Sequence, residues 1–101
     1  MPETLDNFKS DFPETWAAYS KLRDACDGEG PLDRKTAELI KIGISAALGH
    51  EGGLVAHISQ ARRAGAADAE IYHAILVSTG LAGFSSTLGA TSVAREYLNE
   101  G

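Results

Sequence analysis

Apolar residues occupy nine of the twelve positions between residues 37 and 48, which predicts a helix that is buried on almost all sides. Counted from residue 34, four of its polar side chains recur at steps of four, three and four residues, so they share one stripe along the helix. They are Arg34, Glu38, Lys41 and Ser45. Asp33 has the side chain of a good N-cap, and Gly49 is a residue at which the helix can end.

Helical spacing of apolar residues also predicts the elements on either side. Upstream, an amphipathic helix is expected from Pro13 to about Asp24, after a shorter helical turn near Leu5 and Phe8. The sequence DGEGP at residues 27–31 then breaks the chain. Downstream, three more helices are expected. The first runs from residue 51 or 53 to Ala64 and is ended by a left-handed Gly65. The second runs from an N-cap at Asp68 towards Leu81, and the third runs from about Ser85 to Leu98.

These elements predict an all-α fold of five to six helices, built around a buried hairpin of the two helices that flank residues 49–53. No segment alternates for long enough to predict a strand. The break at DGEGP divides the chain into an N-terminal helical extension, residues 1–31, and a helical domain, residues 32–101. Because so small a module leaves apolar helix surface uncovered, a homo-oligomer is expected. The expected core residues are Leu39, Ile40, Ile44, Leu54, Ile58, Ile75 and Leu88.

Composition narrows the possible partners and location. Apolar residues make up 44% of the chain and aromatics 7%, so the core must be built from many aliphatic side chains. Residues 1–33 contain eight acidic and three basic residues. The net charge of the whole chain is −5, which makes nucleic acids and anionic membranes poor partners. Cys26 is the only cysteine, which excludes an intramolecular disulfide and fits a reducing interior. No signal peptide or membrane span is visible, so a cytoplasmic protein is expected.

The candidate chemistry lies in Glu38, His50 and His57. His57 is expected at the flank of an apolar helix face, beside small residues that leave room for a ligand or for a closely packed neighbour. The short connection at residues 49–53 makes the two central helices antiparallel neighbours, so Glu38 meets His57 if the second helix folds back by more than a turn. A carboxylate against an imidazole holds the ring in one tautomer and provides a general acid or base.

Each of these residues also has a plainer interpretation. Glu38 can pair with Arg34 and Lys41 on a solvated stripe, and His57 can be a flank histidine that bonds to a backbone carbonyl. His50 can be a polar loop residue that closes a helix. The three candidates are also the ligand types of a two-histidine, one-carboxylate metal site. Histidines seven residues apart across a glycine turn are not an established ligand spacing, so no metal is expected.

Three stretches together resemble the carboxymuconolactone decarboxylase family, which includes the alkylhydroperoxidase D-like proteins. They are LDRKTAELIKIGISAALG from Leu32, GHEGGLVAHISQARRAGA from Gly49 and DAEIYHAILVSTGLAGFSSTLGA from Asp68. The peroxidase branch carries a glutamate, a CxxC pair beginning twelve residues later, and a histidine four residues after the second cysteine. Glu38 and His57 match the glutamate and the histidine, whereas His50 and Gly53 stand at the cysteine positions. Peroxide reduction by that dithiol is disfavoured, because both thiols are missing.

The resemblance covers about residues 32–98 and implies an alkylhydroperoxidase D-like fold that assembles as a trimer or hexamer. The lactone decarboxylase branch works without the thiol pair and without a cofactor. The resemblance therefore implies a cofactor-free lyase or isomerase acting on a small organic acid or lactone, with His57 transferring the proton, Glu38 orienting it and His50 as a third catalytic candidate. The candidate substrate-binding residues are Arg62 and Ser45. The alternative is a non-catalytic member kept for small-molecule binding or assembly.

Overall fold

The computed structural model describes residues 2–100, with the side chains of residues 3–99, and confirms the expected all-α class. Six helices have ten or more residues, another is a single four-residue turn, and residues 2–100 contain no strand. The helices are α1 (Pro2–Asp11), α2 (Pro13–Gly28), α3 (Arg34–Leu48), α4 (Glu51–Arg63), α5 (Asp68–Val77), α6 (Thr79–Ala82) and α7 (Phe84–Glu100). In this part of the chain, no helix is both long and apolar enough to cross a membrane.

The chain separates into two compact units, Met1–Pro31 and Leu32–Gly101. In the first unit, α1 and α2 meet through Trp16, whose ring lies 4.9 Å from the Lys9 ammonium and 5.7 Å from the Arg23 guanidinium. No residue of α2 is buried, so this pair of helices relies on local cation–aromatic contacts rather than on a core of its own.

The second unit contains the hydrophobic core, to which α3, α4, α5 and α7 all contribute. The predicted core residues Leu54, Ile58 and Ile75 are buried, and Leu39 is half-buried against them. The full set of buried apolar side chains is Ile42, Ala46, Leu54, Ile58, Ala61, Ile71, Ile75, Ala90, Ala94 and Leu98. Three of the five positions in that set that lie in α3 and α7 are alanines, which allows these helices to approach their neighbours closely.

Three predicted core positions are wrong for the single protomer. Ile40, Ile44 and Leu88 are 46%, 52% and 54% exposed. In α3 only the stripe that carries Glu38 and Ile42 is covered by other helices, so the apolar residues on the opposite side remain at the surface. The apolar composition of α3 predicted that the helix is buried. It could not predict which face of α3 packs against the other helices of the protomer.

Local signals account for most helix boundaries. Asp33 Oδ1 accepts a hydrogen bond from the Thr36 N–H at 2.7 Å, which caps α3 as predicted and lowers the pKa of that carboxyl. The left-handed backbone at Gly49 and Gly65, with φ of 72° and 95°, follows α3 and α4.

The start of α5 differs from the prediction by one residue. Ala67, not Asp68, precedes the helix, and Glu70 Oε1 accepts a hydrogen bond from the Ala67 N–H at 2.9 Å. The other oxygen of Glu70 lies 2.9 Å from Lys35 Nζ, and these two bonds lower the pKa of the carboxyl. The Lys35 contact also ties α3 to α5. The single helix expected to run towards Leu81 is divided at Ser78, where α5 ends and α6 begins.

Candidate functional site

The α3/α4 hairpin brings the carboxylate of Glu38 against the imidazole of His57. Glu38 Oε1 lies 2.8 Å from His57 Nδ1, a hydrogen-bond distance across 19 residues of sequence. The Glu38 side chain is 3% exposed, whereas the His57 side chain is 31% exposed. The carboxylate is therefore enclosed in the hairpin, and the imidazole lies between it and the surface.

Two cations neighbour the other oxygen of the same carboxylate. Arg34 Nε and Lys41 Nζ each lie 3.6 Å from Glu38 Oε2, one turn before and one turn after it on α3. The pairing that the plainer interpretation proposed is thus present, but the stripe is not solvated at Glu38. Burying a carboxylate is costly unless it is paired and hydrogen-bonded, and here three groups share that role.

This geometry defines what His57 can do chemically. As an ionised carboxylate, Glu38 accepts the hydrogen bond from Nδ1–H and so holds the neutral ring in the tautomer with a free Nε2. Nε2 then carries the lone pair that can take a proton, or the proton that can be given, on the exposed side of the ring. The pair therefore has the arrangement of a general acid or base with an orienting carboxylate.

A pocket of about 170 Å³ opens at the other end of the hairpin. We call it the Ser45 pocket. Its walls come from α3, from the first turn of α4 and from α7, and include Ser45, His50, Glu51, Leu54, Ser86 and Gly89. Neither Glu38 nor His57 lines it. The two candidate regions therefore lie at different levels of one helix–helix seam.

The structure thus brings the predicted site residues together in two groups. Glu38 and His57 form one, and Ser45 and His50 form the other. His50 is exposed and begins α4 as its N-cap residue, without a hydrogen bond from its side chain to the helix. Arg62 is half-buried in the last turn of α4 and does not line the Ser45 pocket. The catalytic and binding roles of these residues stay predictions.

The metal-site alternative gains no support from the geometry. Among residues 2–100, no group of three or more histidine, cysteine, aspartate or glutamate side chains is close enough to hold a metal ion together. His50 lines the Ser45 pocket, to which Glu38 and His57 do not contribute. The three proposed ligands are therefore not gathered around one point.

The α7 wall of the pocket was not anticipated. Ser86, Gly89, Ala90 and Val93 line the pocket and share one face of α7, at steps of three, one and three residues. The sequence of α7 shows that these mostly small residues share a face. It does not show that this face lies against the α3/α4 connection, because that placement depends on how helices distant in sequence pack.

Gly53 occupies the most confined place in this region. A Cβ built there would lie 3.4 Å from Ser45 Oγ and 3.6 Å from His50 Cβ, which are ordinary van der Waals distances. The absent side chain at Gly53 therefore leaves a small space between α3 and the first turn of α4.

Comparison with known families agrees with the all-helical architecture. The sequence model of the carboxymuconolactone decarboxylase family matches residues 11–96, which is more than half of the chain. The chain belongs to that family. The match includes α2, so the family relationship reaches into the segment expected to be an N-terminal extension. Among curated proteins, none matches the chain.

Proposed function

We propose that this carboxymuconolactone decarboxylase-like protein is a cofactor-free lyase or isomerase that transfers a proton on a small organic acid or lactone. The observation that supports the proposal is the 2.8 Å contact between Glu38 Oε1 and His57 Nδ1, with the carboxylate buried and the ring partly open. Such a pair supplies an oriented proton donor and acceptor without a metal or a thiol.

The proposed chemistry gives His57 and Glu38 different tasks. When an unsaturated lactone acid loses carbon dioxide, the electron pair of the broken C–C bond moves into the conjugated carbonyl system. His57 then delivers a proton to carbon from Nε2 and regains one from water. Glu38 does not touch the substrate in this scheme; it is a positioning residue that holds the ring and stabilises the imidazolium before the proton is transferred to carbon.

Dithiol peroxide reduction stays disfavoured. His50 and Gly53 stand at the two motif positions, and neither has a thiol. The lone thiol, Cys26, is exposed on α2. A peroxidase cycle of that type needs one thiolate to attack the peroxide and a second to resolve the sulfenic acid, and one cysteine per chain cannot do both at this site.

A second candidate is small-molecule binding without chemistry. The observation that favours it is the separation of the two groups: the Ser45 pocket includes His50 but neither Glu38 nor His57. In that case the Glu38–His57 pair would stabilise the hairpin, and the pocket would hold a ligand without changing it.

Matched histidine variants separate the two candidates. Purified protein is incubated with an unsaturated lactone acid in D₂O, and deuterium incorporation and loss of carbon dioxide are followed by NMR. We expect His57→Asn to lower the rate by about 10²–10⁴-fold, while His73→Asn on the exposed face of α5 leaves it unchanged. Wild-type turnover that survives His57→Asn would reject the acid–base role.

We also propose that the protein assembles into three or six copies. A groove of about 390 Å³ between α3, α5 and α6 is lined almost wholly by apolar side chains, among them Ile40, Ile44, Val77 and Leu81. These four are 46–98% exposed in the protomer, and no charged residue lines the groove. Neighbouring copies arranged around a closed symmetry axis can cover it.

Light scattering during size-exclusion chromatography tests the assembly. Ile44→Glu places a charge in the groove and is expected to reduce the particle to the mass of one chain. Ser92→Glu adds the same charge on the exposed surface of α7, outside the groove, and serves as the control. A wild-type protein with the mass of one chain at micromolar concentration would contradict the proposal.

A further inference from the structure

We infer that the guanidinium of Arg34 binds the carboxylate of the substrate beside His57. This role rests on the proposed function, since the carboxylate belongs to the small organic acid on which His57 is proposed to act. It adds the residue that gives the site its preference for an acid over a neutral molecule of the same shape.

One buried carboxylate holds both side chains. Glu38 Oε1 lies 2.8 Å from His57 Nδ1, and Glu38 Oε2 lies 3.6 Å from Arg34 Nε. The carboxylate is 3% exposed, whereas the imidazole is 31% and the guanidinium-bearing side chain 67% exposed. Because the shared partner is enclosed and both neighbours reach the surface, the parts of His57 and Arg34 that do not contact Glu38 face solvent.

A second contact places Arg34 on the same face of the hairpin as His57. Arg34 Nη2 donates a hydrogen bond to Gln60 Oε1 at 3.4 Å, across the seam between α3 and α4. Gln60 follows His57 by three residues, so the two share one face of α4. The guanidinium and the imidazole are therefore separated by about one helical turn, on the order of 5 Å along the seam.

The covalent geometry of the guanidinium leaves one pair of donors for a ligand. Nε–H and one N–H of Nη2 share an edge of the group, and Glu38 and Gln60 both lie against that edge. Nη1 and the other N–H of Nη2 form a second edge. Within residues 3–99, the guanidinium has no partner besides Glu38 and Gln60. Two parallel donors of this kind match the two oxygens of a carboxylate.

The neighbouring charged groups favour Arg34 over its companion cation. Lys41 Nζ lies at the same 3.6 Å from Glu38 Oε2, but its side chain is only 24% exposed. Asp33, the carboxylate next to Arg34 in the sequence, accepts the Thr36 N–H at 2.7 Å and caps α3. Arg34 is thus the more accessible of the two cations at Glu38, and it carries the planar fork that an ammonium lacks.

This assignment moves the carboxylate anchor away from Arg62, the sequence-based candidate. Arg62 follows His57 by five residues, which puts it on a different face of α4, and it is half-buried in the last turn. Arg34 suits a carboxylate that the substrate keeps, because a cation on a carboxylate about to leave would stabilise the ground state. Such an anchor contributes equally before and during proton transfer, so its loss should appear in KM.

Titration of uniformly ¹⁵N-labelled full-length protein with propanoate and with propanamide tests the site by NMR. The two probes have nearly the same shape and differ in charge. We expect propanoate to shift both the Arg34 Nε–H signal and the His57 ring signals, with an affinity at least about fivefold above that of propanamide. Equal affinity for the two probes, or an Arg34 signal that does not move, would overturn the inference.

Substitutions at Arg34 separate the fork from the charge. Arg34→Gln is expected to weaken propanoate binding about tenfold. Arg34→Lys keeps a cation near Glu38 without the fork and should weaken it about threefold. Arg95→Gln removes the same charge from the exposed surface of α7 and serves as the control, with unchanged affinity. Circular dichroism checks folding. Full affinity in Arg34→Gln would overturn the inference, and if that variant does not fold, full affinity in Arg34→Lys would do so.

A kinetic comparison separates an anchor from a purely structural partner of Glu38. With the unsaturated lactone acid as substrate, Arg34→Gln should raise KM about tenfold and change kcat by less than about twofold. An arginine that served only to hold Glu38 would act through the position of His57, so its loss would lower kcat and leave KM unchanged. That second result would overturn the inference.

The two assays also distinguish this inference from the proposed function. His57→Asn should bind propanoate as the wild type does, because Arg34 keeps its contacts with Glu38 and Gln60. If that variant also retains full turnover, the acid–base proposal fails while the carboxylate site stands. If turnover depends on His57 but Arg34→Gln binds propanoate as the wild type does, the proposed function stands and the carboxylate site fails.

Discussion

Polar side chains at the two ends of the α3/α4 seam have different surroundings. At one end, Glu38 is buried and its oxygens are shared among His57, Arg34 and Lys41. At the other end, Ser45 and the exposed His50 line a pocket. A satisfied network rigidifies a structure, whereas a pocket wall leaves room for a ligand. The contrast suggests that one hairpin can hold a positioned imidazole and a binding pocket side by side.

Restoring two thiols at the open end would produce the largest change. In a Cys26→Ser background, His50→Cys with Gly53→Cys places two cysteines three residues apart at the start of α4, where a thiolate is favoured. The reduced variant should consume one equivalent of hydroperoxide, yielding a disulfide, the alcohol and water. Peroxide consumption and thiol titration measure this. Either single-cysteine variant is the control, and a reduced pair inert to peroxide would show that the pocket no longer supports this chemistry.

Replacing the histidine at each end should have unequal effects on stability. His57→Ala leaves Glu38 Oε1 buried without its 2.8 Å hydrogen bond and is expected to lower the free energy of unfolding by about 2–3 kcal/mol. His50→Ala removes an exposed side chain without a bond to the helix and should change it by less than about 0.5 kcal/mol. Urea unfolding gives both values. Equal losses would contradict the contrast between the two ends.

Two glycines of the same hairpin should respond to alanine with opposite signs. Gly53→Ala is expected to raise the free energy of unfolding by about 0.4–1 kcal/mol, because the added Cβ meets only ordinary contacts and the unfolded chain loses freedom. At Gly43 a Cβ would lie 3.3 Å from the backbone oxygen of Ala74. That oxygen belongs to α5 and cannot yield as a side chain does, so Gly43→Ala should destabilise the protein. Thermal unfolding would show whether the signs differ.

The smallest effect is expected at an exposed carboxylate at the start of α3. The hydrogen bond from the Thr36 N–H holds the pKa of Asp33 below its ordinary value of 3.8 in the folded protein. A lowered folded pKa stabilises the protein above the unfolded pKa, and this contribution is lost as the pH falls through the folded pKa. Asp33→Asn should therefore flatten part of the fall in Tm below about pH 4. An unchanged acid profile would show that this cap adds nothing measurable.

The family motif paired two residues whose side chains are in contact in the structure. Glu38 and His57 match the family glutamate and histidine, and the structure places their side chains 2.8 Å apart. The motif also grouped His50 with them, but His50 faces the Ser45 pocket instead. Sequence spacing identifies residues on neighbouring helices; the level at which each meets its neighbour depends on helix packing.

The class of the fold and most of its helix boundaries follow from local sequence signals, since capping residues, glycine stops and helical periodicity act over a few residues. Asp33 caps α3 and Gly65 follows α4 for such local reasons. Three other outcomes depend on helix packing: Ile44 remains exposed, α7 forms a wall of the pocket, and Arg62 lies away from that pocket. These outcomes depend on how each helix is rotated against distant neighbours, and that rotation is set by the packing of the whole unit.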